Sequence, residues 1–188
     1  MFIVFFVVLS ILIGFLRGGK LSHLIKKPLK FQIFVVLSFL IQIAIFSKLA
    51  DMSHLSRFSI IFLHVISYVL LLLFTLLNWK IAGIPIIGTG ILLNAIAIFS
   101  NGGYMPALAD NLLKTAAGKG SEAVAYGGAV NNSIQITDST RFPWLCDIFV
   151  LPSWLPFSNV FSVGDIIIAV GVSIYLVINM GRKNQPRA

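Results

Sequence analysis

Residues 58–77 read FSIIFLHVISYVLLLLFTLL, an apolar run without a charged residue, closed by Arg57 on one side and by Trp79-Lys80 on the other. A helix that crosses a membrane needs about 20 apolar residues, because the hydrocarbon core is about 30 Å thick and each residue rises about 1.5 Å. This run meets the requirement by itself. Four more apolar runs lie outward from it, at 1–16, 31–47, 81–100 and 163–180. Composition agrees: 58% of the 188 residues are hydrophobic and 11% charged, against roughly 25% charged in a soluble domain. A chain of this size exposes too much surface to hide that apolar excess in a globular core. The expectation is one all-α membrane domain over residues 1–188, with five transmembrane helices.

The segments between the runs set the orientation. Arg17, Lys20, Lys26, Lys27, Lys30, Lys80, Arg182, Lys183 and Arg187 all fall on one side, with no acid among them. The other side carries Lys48, Arg57, Lys114, Lys119 and Arg141 against Asp51, Asp110, Glu122, Asp138 and Asp147, which cancel. Cytoplasmic flanks of membrane helices are enriched in Lys and Arg. The first set is therefore expected inside a bacterial inner membrane, with the N-terminus out and the C-terminus in. The first run begins at Met1 without a basic segment before it, so it reads as a retained helix and not as a signal peptide. The net charge of +8 is explained by these flanks without invoking nucleic acid.

One connection is long, running over 101–162 on the outer side. Within it, 106–117 is expected to form a short helix with Pro106 in its first turn and Gly118 at its end. Turn signals follow at Gly127-Gly128 and Asn131-Asn132, and 133–137 alternates like a strand. Residues 142–157, FPWLCDIFVLPSWLPF, are apolar and aromatic but broken by Pro143, Pro152 and Pro156. They are expected to form an interfacial or re-entrant segment. In the fourth run, Pro85 is expected to kink the helix, and Gly83, Gly88 and Gly90 to allow close packing.

Polar residues inside membrane spans are costly, so each marks a candidate site. Gln42, His64, Asn94 and Asp165 come from four different runs and share a depth in the outer half. The inner half reads as almost purely apolar apart from small hydroxyls. Each has a simpler reading as well. Ser162 and Asp165 have the spacing of a capping box, and Gln42, His64 and Asn94 are the kind of residue that bonds neighbouring helices. Asn101-Gly102-Gly103 reads as a left-handed helix cap, or as a backbone nest for an anion. If the four belong to one pocket, residues 101–105 would roof it and 142–157 would shield its lipid side. No histidine or cysteine spacing suggests a metal site, no phosphate loop or nucleophile elbow is present, and the single Cys146 has no pairing partner. Asp138, Asp147 and Asp165 share the outer side and are the only grouping that suggests a cation. The reading leans away from an enzyme and implies no cofactor.

A set of short motifs adds to this. Asn94, the run Asn101-Gly102-Gly103-Tyr104-Met105-Pro106, Asp138-Ser139-Thr140-Arg141, Leu145-Cys146-Asp147-Ile148, Phe161-Ser162-Val163-Gly164-Asp165 and Gly171 together resemble an uncharacterised bacterial integral-membrane family, a domain of unknown function of Firmicutes and Actinobacteria. The pattern of that family has glycine where Cys146 stands. The resemblance implies a cell-membrane protein and no particular activity. Expected partners are membrane lipid, and a small lipid-like or quinone-like amphiphile or another membrane protein at the outer face. The alternatives are an enzyme for a lipid-linked substrate, using Asp147 or Asp165 with His64, and a transporter or channel subunit. Against the last stand the apolar inner half and the absence of an internal repeat.

Overall fold

A computed structural model of the chain describes residues 2–25, 29–46, 56–115 and 133–181. The turn signals at Gly127-Gly128 and Asn131-Asn132 lie outside the described residues. So do Gly118 and Lys119, the flank residues Lys26, Lys27, Lys48, Asp51 and Glu122, and the tail residues Arg182, Lys183 and Arg187. The described chain is mostly helical. Its helices are α1 (Phe2–Leu16), α2 (Ser22–Ile25), α3 (Gln32–Phe46), α4 (Arg57–Leu77), α5 (Ile84–Ser100), α6 (Ala109–Leu113) and α7 (Val163–Met180). Four short strands, β1 (Met105–Ala107), β2 (Ser133–Gln135), β3 (Phe149–Leu151) and β4 (Asn159–Phe161), lie between α5 and α7.

Two helices, α4 and α7, are long and apolar enough to cross a membrane by length and composition. The apolar helices α1, α3 and α5 contain 15, 15 and 17 residues, about 22–26 Å of rise. The expected five full spans are therefore two helices of spanning length and three shorter ones.

α7 packs between α1 and α5, α5 packs on α4, and α4 packs on α3. The side chains are distributed in an unusual sense. Val36, Phe39, Leu40 and Ile43 repeat at helical spacing along α3 and point outward, with Ile43 59% exposed, while Ser38 is fully buried. On α4, Phe58, Phe62, Val65, Val69 and Leu73 are exposed, while His64, Ser67 and Thr75 are buried. Apolar stripes of this extent on the outside of a bundle are uncommon in soluble monomers.

The α5–α7 contact explains why these two helices carry glycine. A Cβ on Gly90 would lie 2.5 Å from the Gly164 carbonyl oxygen, and one on Gly171 would lie 2.7 Å from the Ile87 nitrogen. Gly83 opposes Gly171 in the same way. The seven-residue spacing on both helices (83 and 90, 164 and 171) places backbone against backbone along one seam, as small-residue helix pairs do.

Caps fix where the helices begin. Ser56 Oγ accepts from the Ser59 amide at the start of α4. At the start of α7 the Asp165 amide donates to Ser162 Oγ and the Ser162 amide to Asp165 Oδ2, both at 3.0 Å, completing the capping box. Pro85 sits in the first turn of α5. There its missing N–H removes no helical bond, so it starts the helix and does not kink it. α5 ends at Asn101, followed by Gly102 and Gly103 at φ 76° and 89°, with the Gly103 amide donating to Ile98 O at 2.9 Å. This is the left-handed cap expected from the motif.

The long connection differs from its expected form at Pro106. Pro106 lies in β1 and not in a helix; among the described residues of this segment, only Ala109–Leu113 is helical. β1 runs parallel to β2 with Met105 opposite Ser133. On its other edge, the Asp147 amide donates to Pro106 O at 2.9 Å and the Leu108 amide to Asp147 O at 3.3 Å. Pro106 thus supplies its carbonyl to a pairing that does not use its missing N–H. Residues 142–157 form a 3₁₀ turn at Pro143–Leu145 and the strand β3, which pairs antiparallel with β4. Far from this connection, the bundle is less apolar than its sequence suggests: Asn78 and Asn179 are buried there. Asn78 bonds both the Lys30 amide, at 2.8 Å, and the Lys30 carbonyl, at 2.9 Å.

Candidate functional site

A cleft of about 250 Å³ opens where α3, α4, α5 and α7 meet β1, β2 and β4. Its polar lining includes Gln42, Tyr68, Asn94, Asp147 and Asp165, and its apolar lining Ile98, Met105, Val160 and Phe161. Gln42, Asn94, Met105, Asp147 and Asp165, named from sequence, therefore meet at one place.

Asn94 and Asp165 form a closed network. Asn94 Nδ2 donates to Asp165 Oδ1 at 2.9 Å, and Asn94 Oδ1 accepts from Ser162 Oγ at 2.8 Å. With the Ser162 amide on Asp165 Oδ2, both carboxylate oxygens of Asp165 are occupied. Asp165 is a helix cap locked to the neighbouring helix. Gln42 donates through Nε2 to Ser67 Oγ at 3.1 Å, and Ser67 Oγ donates to His64 O at 2.7 Å. That chain ties α3 to α4.

Asp147 is different. It is 7% exposed, and its Oδ1 is buried without a hydrogen-bond partner. Buried polar atoms are normally paired, and each exception calls for a reason. Burial first, and the Asp165 carboxyl second, push the Asp147 carboxyl well above the usual carboxylate range. A carboxyl that keeps its proton can donate a hydrogen bond into the cleft as well as accept one. The adjacent Cys146 thiol is fully buried, and burial, with the Asp147 charge adding to it, pushes it up to about 11. That thiol is a packing group, its Sγ 3.4 Å from Phe142 O.

His64 is not part of the cleft lining. Its Nδ1–H donates to Gly103 O at 2.9 Å, and its ring is enclosed by Phe46, Tyr68 and Phe99 at centroid distances of 4.8, 5.2 and 5.5 Å. It pins the glycine turn at the end of α5. Gly103 is buried with its Cβ direction facing Ile61, and Tyr104 packs edge-on against Phe46. Asn101 and Gly102 line a different cleft, so residues 101–105 do not roof the first one together; only Met105 reaches it. Asp138 is exposed and lines neither cleft, which separates it from Asp147 and Asp165. Tyr68, Ser133 and Asn159 line the first cleft without having been singled out. Tyr68 lies one helical turn beyond His64 on the same face, and that spacing was the available signal.

Residues 26–177 match the model of a family of unknown function, DUF5317. The chain belongs to that family. The matched span holds the whole lining of the Asp147 cleft except Ile3. The DUF5317 chain is also 30% identical, over 126 residues, to an uncharacterised protein of Thermotoga maritima. That match covers 64% of this chain and 66% of the relative, so the chain spans just under two thirds of the relative's length. No solved structure matches. Membership fits the expectation of an uncharacterised domain and brings no activity with it.

Proposed function

We propose that this DUF5317 protein is a five-span protein of the bacterial inner membrane, N-terminus out and C-terminus in, whose Asp147 cleft binds the head of a small amphiphile. The membrane reading is supported by the outward apolar stripes of α1, α3 and α4 and by the inward position of Ser10, Ser38, His64 and Ser67. A bundle with apolar side chains outside and polar ones inside matches hydrocarbon as solvent better than water. The three short helices span with the help of flanking residues and local thinning of the bilayer.

The observation that carries the binding reading is that Asp147, whose buried Oδ1 has no hydrogen-bond partner, lines a cleft with both polar and apolar residues around it. Drug-sized ligands occupy pockets of about 300–1,000 Å³. A cleft of about 250 Å³ therefore suits a head group whose tail stays in lipid. The Asp147 carboxyl, which burial favours in its neutral form, and the Tyr68 hydroxyl supply donors, so carbonyl or hydroxyl oxygens fit, as on a quinone-like ring or a neutral lipid head. An acid–base pair of carboxyls is less well supported, because Asp165 has both oxygens committed to its cap.

Mass spectrometry of an organic extract of the purified protein tests the ligand. Wild type should release an amphiphile with a carbonyl or hydroxyl head near one per chain, and Asp147→Leu should release none. Equal lipid content in both proteins would sink the binding reading. Cysteine probes test the orientation: residues placed at positions 121 and 132 should label from outside the cell, and those at 22 and 184 should not. The buried Cys146 contributes little background. Labelling at position 22 from outside would overturn the orientation.

A further inference from the structure

Beyond the Asp147 cleft, across β2, lies a second and larger cleft of about 560 Å³. Ser133 lines the first cleft, and Ile134 and Gln135 line the second. Its polar groups include Arg57, Arg141, Ser139, Thr140, Asn101 and the Gly102 backbone, and no carboxylate among the described residues lines it.

The parts are held in place from several directions. Asn101 grips the backbone of Arg141 through both polar atoms: Nδ2 donates to Arg141 O at 2.9 Å, and the Arg141 amide donates to Asn101 Oδ1 at 2.8 Å. The same Nδ2 reaches Ala97 O at 2.7 Å, fastening the grip to the end of α5. The turn before Arg141 is closed on itself by Thr140 N–H to Thr137 O at 3.0 Å and Thr137 N–H to Thr140 Oγ1 at 2.9 Å. Arg57 comes from α4, where it is the first residue of a 21-residue helix and so sits at the positive end of the helix dipole. Its guanidinium lies over Gly102: a Cβ there would be 3.2 Å from an Arg57 Nη. Among the described residues, neither guanidinium makes an ion pair or a side-chain hydrogen bond.

Two guanidinium groups without an ion pair among the described residues, together with hydroxyls lining the same cavity, have the donor chemistry that suits a tetrahedral oxyanion. Arg presents a planar fork of donors that matches phosphate oxygens. We propose that this cleft binds a phosphate-type group, carried either by a phospholipid head or by a soluble phosphate. Exposed aromatics flank it on both sides: Phe58 follows Arg57 and is 77% exposed, and Phe142 and Trp144 follow Arg141. Aromatic residues collect at the level of lipid head groups, which favours the lipid source.

The test uses the full chain in detergent. Native mass spectrometry measures binding of phosphatidylglycerol and of diacylglycerol, and calorimetry measures binding of inorganic phosphate. Wild type should bind at least one phosphate probe, and diacylglycerol at least tenfold more weakly. Phosphatidylglycerol binding without inorganic phosphate binding assigns a lipid head; the reverse assigns a soluble phosphate; binding of both assigns the bare phosphoryl group. The Arg57→Gln, Arg141→Gln double variant should lose at least tenfold in affinity, with Arg57→Lys intermediate and all variants eluting as wild type in size exclusion. If wild type binds neither phosphate probe, or the double variant binds as wild type does, the inference is wrong. If the double variant misfolds, the single Arg57→Gln and Arg141→Gln variants decide: either one that folds and binds as wild type does overturns the inference.

Discussion

Asp147→Asn should make the ligand-stripped protein more stable at neutral and alkaline pH, and the gain should vanish in acid. The substitution keeps the shape of the side chain and removes its titration. Wild-type Asp147 holds its proton in the folded state to a higher pH than in the unfolded state, because burial and then the Asp165 carboxyl oppose its charge. Between the ordinary carboxylate range and that raised value, the folded state binds more protons than the unfolded state, so stability falls as pH rises. Below the ordinary range both states are protonated and the contribution is constant. Above the raised value a buried carboxylate with an unpartnered oxygen bears the full penalty. An unsatisfied buried group costs about 1–3 kcal/mol, and about 2–4 °C of melting temperature accompany each kcal/mol in a chain of this size. The gain should grow with pH toward about 2–12 °C once the pH passes that raised value. Differential scanning fluorimetry of delipidated protein from about pH 4 to about pH 9 measures it. Melting curves for the two proteins that stay parallel across this range, or an Asn variant that melts lower at pH 8, would refute the reasoning and show that Asp147 has a partner in solution.

Three further outcomes follow from the packing. Asn94→Ala strips partners from both Ser162 Oγ and Asp165 Oδ1, and should cost about 2–4 kcal/mol in chemical denaturation; a loss below about 1 kcal/mol would mean the network is not closed. Gly90→Ala drives a Cβ to 2.5 Å from the Gly164 carbonyl and should cost about 1–3 kcal/mol, whereas Gly18→Ala, which meets no atom within 4 Å but sits at φ 72°, should cost less than Gly90→Ala. Cys146 should resist maleimide at pH 8 in the folded protein and react fully in denaturant, as intact-mass measurement will show, because its thiol is buried and pushed up to about 11.

Helices were legible in the sequence because hydropathy is a local signal. The boundaries of α7 follow from Ser162 and Asp165, whose capping spacing needs no tertiary information. The glycine turn after α5 was legible for the same reason. Helix length was not: residues 81–83 are apolar or neutral but fall outside α5, since Gly83 at φ 91° sets the start of α5 and hydropathy does not sense backbone angles. Pro106 misled because proline suits both a first helical turn and the edge of a short strand, and only the arrival of Asp147 on that edge chooses between them. His64 and Asp147 were both named from sequence, yet their roles diverge through contacts that depth does not reveal. His64 finds the Gly103 carbonyl and is spent; Asp147 finds no partner.

That contrast is the strongest reason to place function at Asp147 and not at Asp165. Asp165 is fully accounted for by folding: it caps α7, and through Asn94 it registers α7 against α5 just above the Gly90–Gly164 contact. Removing it should damage the structure in proportion to the bonds lost. Asp147 is accounted for by folding only through its backbone, which completes the edge of β1. Any residue with an amide could do that, and an apolar side chain would do it at lower cost, since the Asp147 oxygen is desolvated without compensation. The two aspartates therefore predict opposite correlations. At position 165, stability and ligand content should fall together; at position 147, replacement by leucine should raise stability while ligand content falls. A stabilised, empty Asp147→Leu protein would be the signature of a residue kept polar for what it binds, and a destabilised one would return Asp147 to the scaffold.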